Sequence, residues 1–377
     1  MVEEHISEGR IREDRAKADA FVEKKLPKVE DPLARFNLGQ QHHWHPTEGS
    51  GLSPLPTYDT EGVAEALANP DHIKDPQTGQ EFQVVKLNWK NREKQQGEEQ
   101  DNERTRPIMY ALEYGHSATG DNPIKLRLEE LVKQTGRPVF SIDHPGMGSE
   151  KLTKEQKRSL KTDEGYGQVA EAELRVMKEM GIKDVDLVGM SMGAWSIAQL
   201  AEKAQQHGIT VHNLVVMESP GVKEMSAVQL MNAEASEAER LSLYQSANYD
   251  ARLREQGGHF KSALRRNVDL LKWGLGGMRG GGLNYIRAMA RENTNKHLGR
   301  ALDSNPDLHV QVINATESKV SPAEANTSMV RSLQEKFRGR IHQSVYSGDS
   351  HSGMENPQKF GTAVRLALQP SAEEVSK

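Results

Sequence analysis

The sequence predicts an α/β fold, a mostly parallel β-sheet covered by helices on both faces and carrying one helical insert. Three observations lead there. Short β-like runs near 107–116, 137–143, 185–188, 211–217, 309–313 and 341–346 alternate with helix-length segments at 122–136, 162–180, 194–204, 323–337 and 358–368. Strands separated by single helices pair in parallel through crossover connections. The run 185–188 passes into Gly189-Met190-Ser191-Met192-Gly193 and then straight into a helix, so a serine stands on a strand-to-helix turn. Finally, residues 223–305 are helical in period and interrupt the alternation between two strands.

In chain order, residues 1–78 read as a polar extension. A surface helix fits 11–25, and Pro27, Pro32, Pro46, Pro54 and Pro56 break the stretch after it. His42-His43-Trp44-His45 is read as part of a segment that packs over the core, with Trp44 as its anchor. Adjacent histidines in regular structure do not converge on one ion, and no carboxylate cluster stands at ligand spacing. Residues 79–221 supply the first part of the core: a β pattern at 81–89, a polar hairpin-like stretch at 90–104, then the strands and helices up to the one closed by Glu218-Ser219-Pro220-Gly221. Residues 222–305 form the insert, rich in Met, Arg and Gln, with a glycine cluster read as a loop. Residues 306–377 complete the core.

Composition excludes several classes. A core is affordable at 377 residues and 35% hydrophobic content, and a net charge of −5 provides no basic field for nucleic acid. The absence of cysteine rules out disulfides, thiolate metal sites and a cysteine nucleophile together. No apolar leader opens the chain and no run approaches a membrane span, so the expectation is a cytoplasmic protein without a membrane span, of unknown oligomeric state.

The turn at Ser191 has a physical requirement. A serine there must hold strained backbone angles, which demands small residues two positions to either side, and Gly189 and Gly193 supply them. Such a turn, an elbow between strand and helix, lifts Oγ clear of the sheet. It also places the N–H of Met192 at a helix N-terminus, facing any oxyanion that develops. With these residues the chain resembles an α/β-hydrolase of the serine-nucleophile, cap-bearing kind, esterase- or lipase-like, over about 81–221 and again 308–368. Asp143-His144-Pro145-Gly146-Met147-Gly148-Ser149 resembles the family's D-x-P-G-x-G-x-S turn, where Asp143 and His144 are read as turn residues rather than catalysts.

The resemblance implies further roles. His351, in a Gly-containing loop after the last strand and ahead of Glu355-Asn356-Pro357, corresponds to the catalytic base. Tyr114-Gly115 stands where the family carries His-Gly, so the backbone N–H of His116 would be the second oxyanion donor. The insert would be the cap that shapes the pocket. The acid is where the sequence departs: the usual Asp position falls on Ser318. Glu317, beside it, and Glu218, at the end of the strand after the elbow helix, are the two candidates, with Glu218 favoured. The implied activity is hydrolysis of a carboxylic ester of a small-molecule acyl substrate through an acyl-enzyme, needing no cofactor and no metal. Acyl transfer, thioester hydrolysis and C–C bond hydrolysis use the same triad, and a non-catalytic binding protein of this fold is the rival from another class.

Overall fold

The computed structural model describes residues 60–89, 105–118, 122–147, 150–247, 282–291, 293–346, 350, 351, 353 and 356–368. The histidine tract at 42–45, the helix expected at 11–25, the stretch 90–104, the glycine cluster of the insert and Glu355 lie outside them.

Among the described residues, eight strands form one sheet: β1 (Asp71–Lys74), β2 (Glu81–Leu87), β3 (Ile108–Ala111), β4 (Val139–Ile142), β5 (Asp184–Met190), β6 (Thr210–Met217), β7 (His309–Ala315) and β8 (Ile341–Tyr346). Their spatial order is β1-β2-β4-β3-β5-β6-β7-β8. β1 and β2 pair antiparallel, as do β2 and β4, and every other pairing is parallel. The described helices are α1 (Thr60–Ala68), α2 (Asn122–Thr135), α3 (Lys154–Ser159), α4 (Gly167–Glu179), α5 (Met192–Ala204), α6 (Ala227–Ala247), α7 (Gly282–Arg291), α8 (Thr294–Ser304), α9 (Ala323–Lys336) and α10 (Pro357–Ala367).

The helices divide between the two faces because side chains alternate along each strand. Met109, Phe140, Leu187, Leu214 and Val312 point to one face, where Trp195 of α5, Leu174 of α4, Leu298 of α8 and Met329 of α9 meet them. Tyr110, Val139, Val188, Val215 and Ile313 point to the other, under Val63 of α1, Leu128 of α2 and Phe360 of α10. Central strands are buried on both faces, which explains why they read as continuous apolar runs.

Two differences from the sequence reading bear on the site. The last part of the polar extension belongs to the sheet: α1 packs on it and β1 is its edge strand. Asp75, fully buried just after β1, is held bidentately by Arg175 of α4 at 2.7 and 2.8 Å. The insert also divides: α8 packs into the core beside α5, while α7 packs against α6 and sends Tyr285 Oη to donate to Pro145 O at 2.8 Å. No described helix is long and apolar enough to cross a membrane.

Candidate active site

Ser191 stands between β5 and α5, at the N-cap of α5, with φ 54° and ψ −125°, a backbone conformation that costs on the order of 1–3 kcal/mol for a non-glycine residue. The surroundings over-determine it. Its N–H donates to Met217 O at 2.9 Å, and its carbonyl accepts from the N–H groups of Ala194 and Trp195. A Cβ on Gly193 would stand 2.1 Å from Ala111 O, and one on Gly189 would stand 2.4 Å from the Gly193 carbonyl. These are backbone obstacles, so neither position admits alanine without moving β3 or the first turn of α5. Gly193→Ala should therefore cost about 2–4 kcal/mol, readable as a lower denaturant midpoint. Met192, as the first residue of α5, has an N–H with no partner inside its own helix.

Glu218 stands beside Ser191. Met190 and Met217 are register partners, so the residues after them occupy neighbouring strand ends. Glu218 also has positive φ, 54°, and with Ser191 and Asn88 makes up the positive-φ non-glycine residues among the described ones. Such backbone strain costs energy and persists only where the surrounding structure over-determines it. The carboxylate is 1% exposed and held from two sides: Ala315 N–H, at the end of β7, donates to Oε1, and His351 Nδ1 lies 3.1 Å from Oε2. His351 is itself buried. Asn356 caps α10, its side chain accepting from Lys359 N–H, with Pro357 in the first turn.

Burial opposes a charge on His351, but the hydrogen bond to Glu218 and the carboxylates of Glu234, Glu218 and Glu237 outweigh it and raise its pKa to about 10. Lys359, near the same carboxylate, is pulled down to about 8 by burial, with the Glu218 charge acting in the opposite sense.

The other acid candidate sits differently. Glu317 is partly exposed in the loop between β7 and α9, and the hydrogen bond to His351 Nδ1 belongs to Glu218. Ser318, where the family's aspartate would fall, plays a local part, since its Oγ accepts from Ser321 N–H at 3.0 Å and closes the turn. His116 also differs from expectation. Its N–H is engaged with Glu113 O at 3.2 Å, closing the turn 113–116, so donation to an oxyanion requires that long bond to be shared or opened.

A profile of the alpha/beta hydrolase family matches residues 116–362, more than half of the chain. The chain belongs to the alpha/beta hydrolase family. No curated protein matches it in sequence. Among solved structures, a bromoperoxidase from Bacillus anthracis is 12% identical with a TM-score of 0.52, covering 80% of this chain and 100% of its own. An esterase from Exiguobacterium antarcticum gives the same figures, 12% identity, TM-score 0.52, 80% and 100% coverage. A membrane phospholipase A described as a bacterial virulence factor is 14% identical with a TM-score of 0.52, covering 82% of this chain and 88% of its own. At such identities the likeness is one of fold.

Within this hydrolase fold, several residues near the site were not singled out by sequence. The charges of Glu234 and Glu237, on α6 of the insert, act on His351, and Glu237, 2% exposed, accepts from Lys319 N–H at 3.4 Å. Asp143 does more than shape a turn. Its carboxylate accepts from Ser117 Oγ at 2.6 Å and Ala118 N–H at 2.8 Å, fastening the segment after β3. The periodicity of α6 marked a helix but not which face meets the site, and the partners of Asp143 lie more than twenty residues away in sequence.

Proposed function

We propose that the protein is a serine hydrolase that cleaves carboxylic esters through an acyl-enzyme on Ser191. The observation that carries the reading is the buried hydrogen bond from His351 to Glu218, set beside a serine on a strained strand-to-helix turn. Glu218 accepts at Nδ1, which leaves Nε2 of His351 to take the proton as Ser191 Oγ adds to the acyl carbon. The carbonyl π pair moves to oxygen, next to Met192 N–H and the positive end of α5. His351 returns the proton to the departing alkoxide. It then deprotonates a water that attacks the acyl-enzyme, and collapse of the second tetrahedral intermediate releases the acid and restores Ser191. The oxyanion donor supplies roughly 3 kcal/mol of transition-state stabilisation. None of these steps calls on a cofactor. The esterase and the phospholipase among the fold neighbours are consistent with an ester substrate. The test is turnover of a graded series of p-nitrophenyl esters: saturable hydrolysis supports the reading, and rates no higher than those of the heat-unfolded chain overturn it.

The pH profile depends on the carboxylates around His351. A general base must be neutral, so kcat/KM should rise with pH toward an apparent pKa near 10, well above the ordinary imidazole value of 6.5. Glu234→Gln or Glu237→Gln should shift that rise down by up to about one unit. A wild-type plateau already reached at pH 7 would contradict this. Stability moves the other way. Folding raises the His351 pKa from 6.5 to about 10, so the stability it adds is complete below 6.5 and is lost as pH climbs toward 10. Lys359, depressed from 10.5 to about 8, regains stability over 8 to 10.5. Melting temperature should therefore fall between pH 6.5 and 8 and then level off.

A further inference from the structure

Behind the segment after β3 lies a second buried histidine–carboxylate pair, which the hydrolytic steps above do not use. His144, just past β4, is 1% exposed. Its Nδ1 lies 2.8 Å from Glu173 Oε1, and Nε2 lies 3.2 Å from Leu112 O. Tyr166 Oη sits 2.6 Å from the same Nδ1 and donates to Glu173 Oε1 at 2.5 Å. Glu173, on α4, is fully buried. A carbonyl oxygen can only accept, so Nε2 carries a proton whenever the bond to Leu112 exists.

Leu112 occupies a sensitive place. It comes directly after the last residue of β3, and its carbonyl oxygen lies 3.0 Å from where a Cβ on Gly193 would stand. The absence of a side chain at Gly193 thus leaves room for the Leu112 carbonyl on one side, while His144 holds it from another. The rest of the segment is fastened elsewhere. Glu113 receives Tyr110 Oη and is paired with Arg127 at 3.0 Å, and Asp143 takes Ser117 and Ala118. Among these anchors, the Leu112 peptide is the one held by His144.

We propose that His144, braced by Glu173 and Tyr166, is a positioning residue for segment 112–118, which carries His116 N–H, the second oxyanion donor expected beside Met192. The proposal rests on the serine-hydrolase reading of Ser191. Taking an imidazole and a carboxylate out of water is costly, and apolar side chains of similar volume would fill the same space at lower cost. What they would not do is donate to Leu112 O. Burial pulls the His144 pKa down while the Glu173 carboxylate pulls it up, with a net rise, in keeping with a ring that donates from both nitrogens. Without the Nε2–H bond the Leu112 peptide can rotate, and His116 N–H, which must leave Glu113 O before it can reach an oxyanion, is carried away from Ser191. That loss falls on the transition state and not on substrate binding.

The test uses the full chain with active sites counted by fluorophosphonate titration, so that kcat refers to folded, reactive enzyme only. His144→Ala should lower kcat by on the order of 10–100-fold, with KM changed less than about threefold, as expected of a misplacement near one ångström. Tyr166→Phe and Glu173→Gln should lower kcat by smaller factors in the same pattern. His144→Gln, whose side-chain amide can still donate to Leu112 O, should recover most of the loss. Glu171→Gln serves as the control: this residue of α4 pairs with Lys203 and His207, so its loss should lower Tm without changing kcat. The proposal is overturned if the variants at 144, 166 and 173 lower Tm but keep kcat per titrated site within threefold of wild type. Should His144→Ala fail to fold, Tyr166→Phe and Glu173→Gln decide by the same criterion. A wild type that neither labels nor turns over would overturn the hydrolase reading and this proposal together, whereas an active wild type with unaffected variants overturns this one alone.

Discussion

Replacing Ser191 by alanine should remove ester turnover, by about 10⁶-fold if the residue is the nucleophile, because no other group then starts the covalent step. The fold should survive. Alanine meets the same φ of 54° as serine, the backbone bonds from Ser191 to Met217, Ala194 and Trp195 do not involve the hydroxyl, and no described side chain hydrogen-bonds to Oγ. Melting temperature should stay within a few degrees of wild type, and far-ultraviolet circular dichroism should be unchanged. Retention of more than a few per cent of the rate would remove Ser191 from the mechanism.

Glu218→Gln should cost on the order of 10⁴ in turnover, and the geometry says why. The carboxylate now serves two donors at once, Ala315 N–H and His351 Nδ1–H. An amide has one oxygen. If that oxygen takes Ala315 N–H, its NH₂ faces His351 Nδ1 and favours the tautomer with the proton on Nε2, where Ser191 needs a base. If it takes His351 instead, the amide opposes the β7 N–H. Either way the imidazolium loses its counter-charge. Glu317→Gln, at a partly exposed loop position, should cost less than about tenfold. The reverse order would move the acid to the β7–α9 loop, and no effect from either would leave a Ser–His dyad.

The central strands and the elbow were legible because their constraints are local. Strands β5 and β6 are buried on both faces and read as apolar runs, and Gly189 and Gly193 are residues whose Cβ positions are filled by backbone. β1 was not legible. It is an edge strand, mostly exposed, whose Asp-His-Ile-Lys carries a single apolar residue and so no alternation to read. The choice between Glu218 and Glu317 could not be made from spacing, since it depends on β6 and β7 lying side by side so that Ala315 N–H meets Glu218. His116 does lie just after β3, but the hydrogen bond that closes its turn depends on the path of four residues, which composition does not specify. His144 reads only as a turn residue in sequence for the same reason: Glu173 and Leu112 are distant along the chain, and only the folded sheet brings them to its two nitrogens.

The most direct measurement is to locate a fluorophosphonate adduct by peptide mass spectrometry in native wild type, in Glu218→Gln and in heat-unfolded chain. Phosphonylation requires a serine made nucleophilic by the folded site, so it reads Ser191, His351 and Glu218 together without assuming a substrate. A single adduct on Ser191 in the native protein, formed far more slowly in Glu218→Gln and absent after unfolding, is the expected result. An unlabelled native protein, or an adduct on another residue at the same rate in all three, would contradict it.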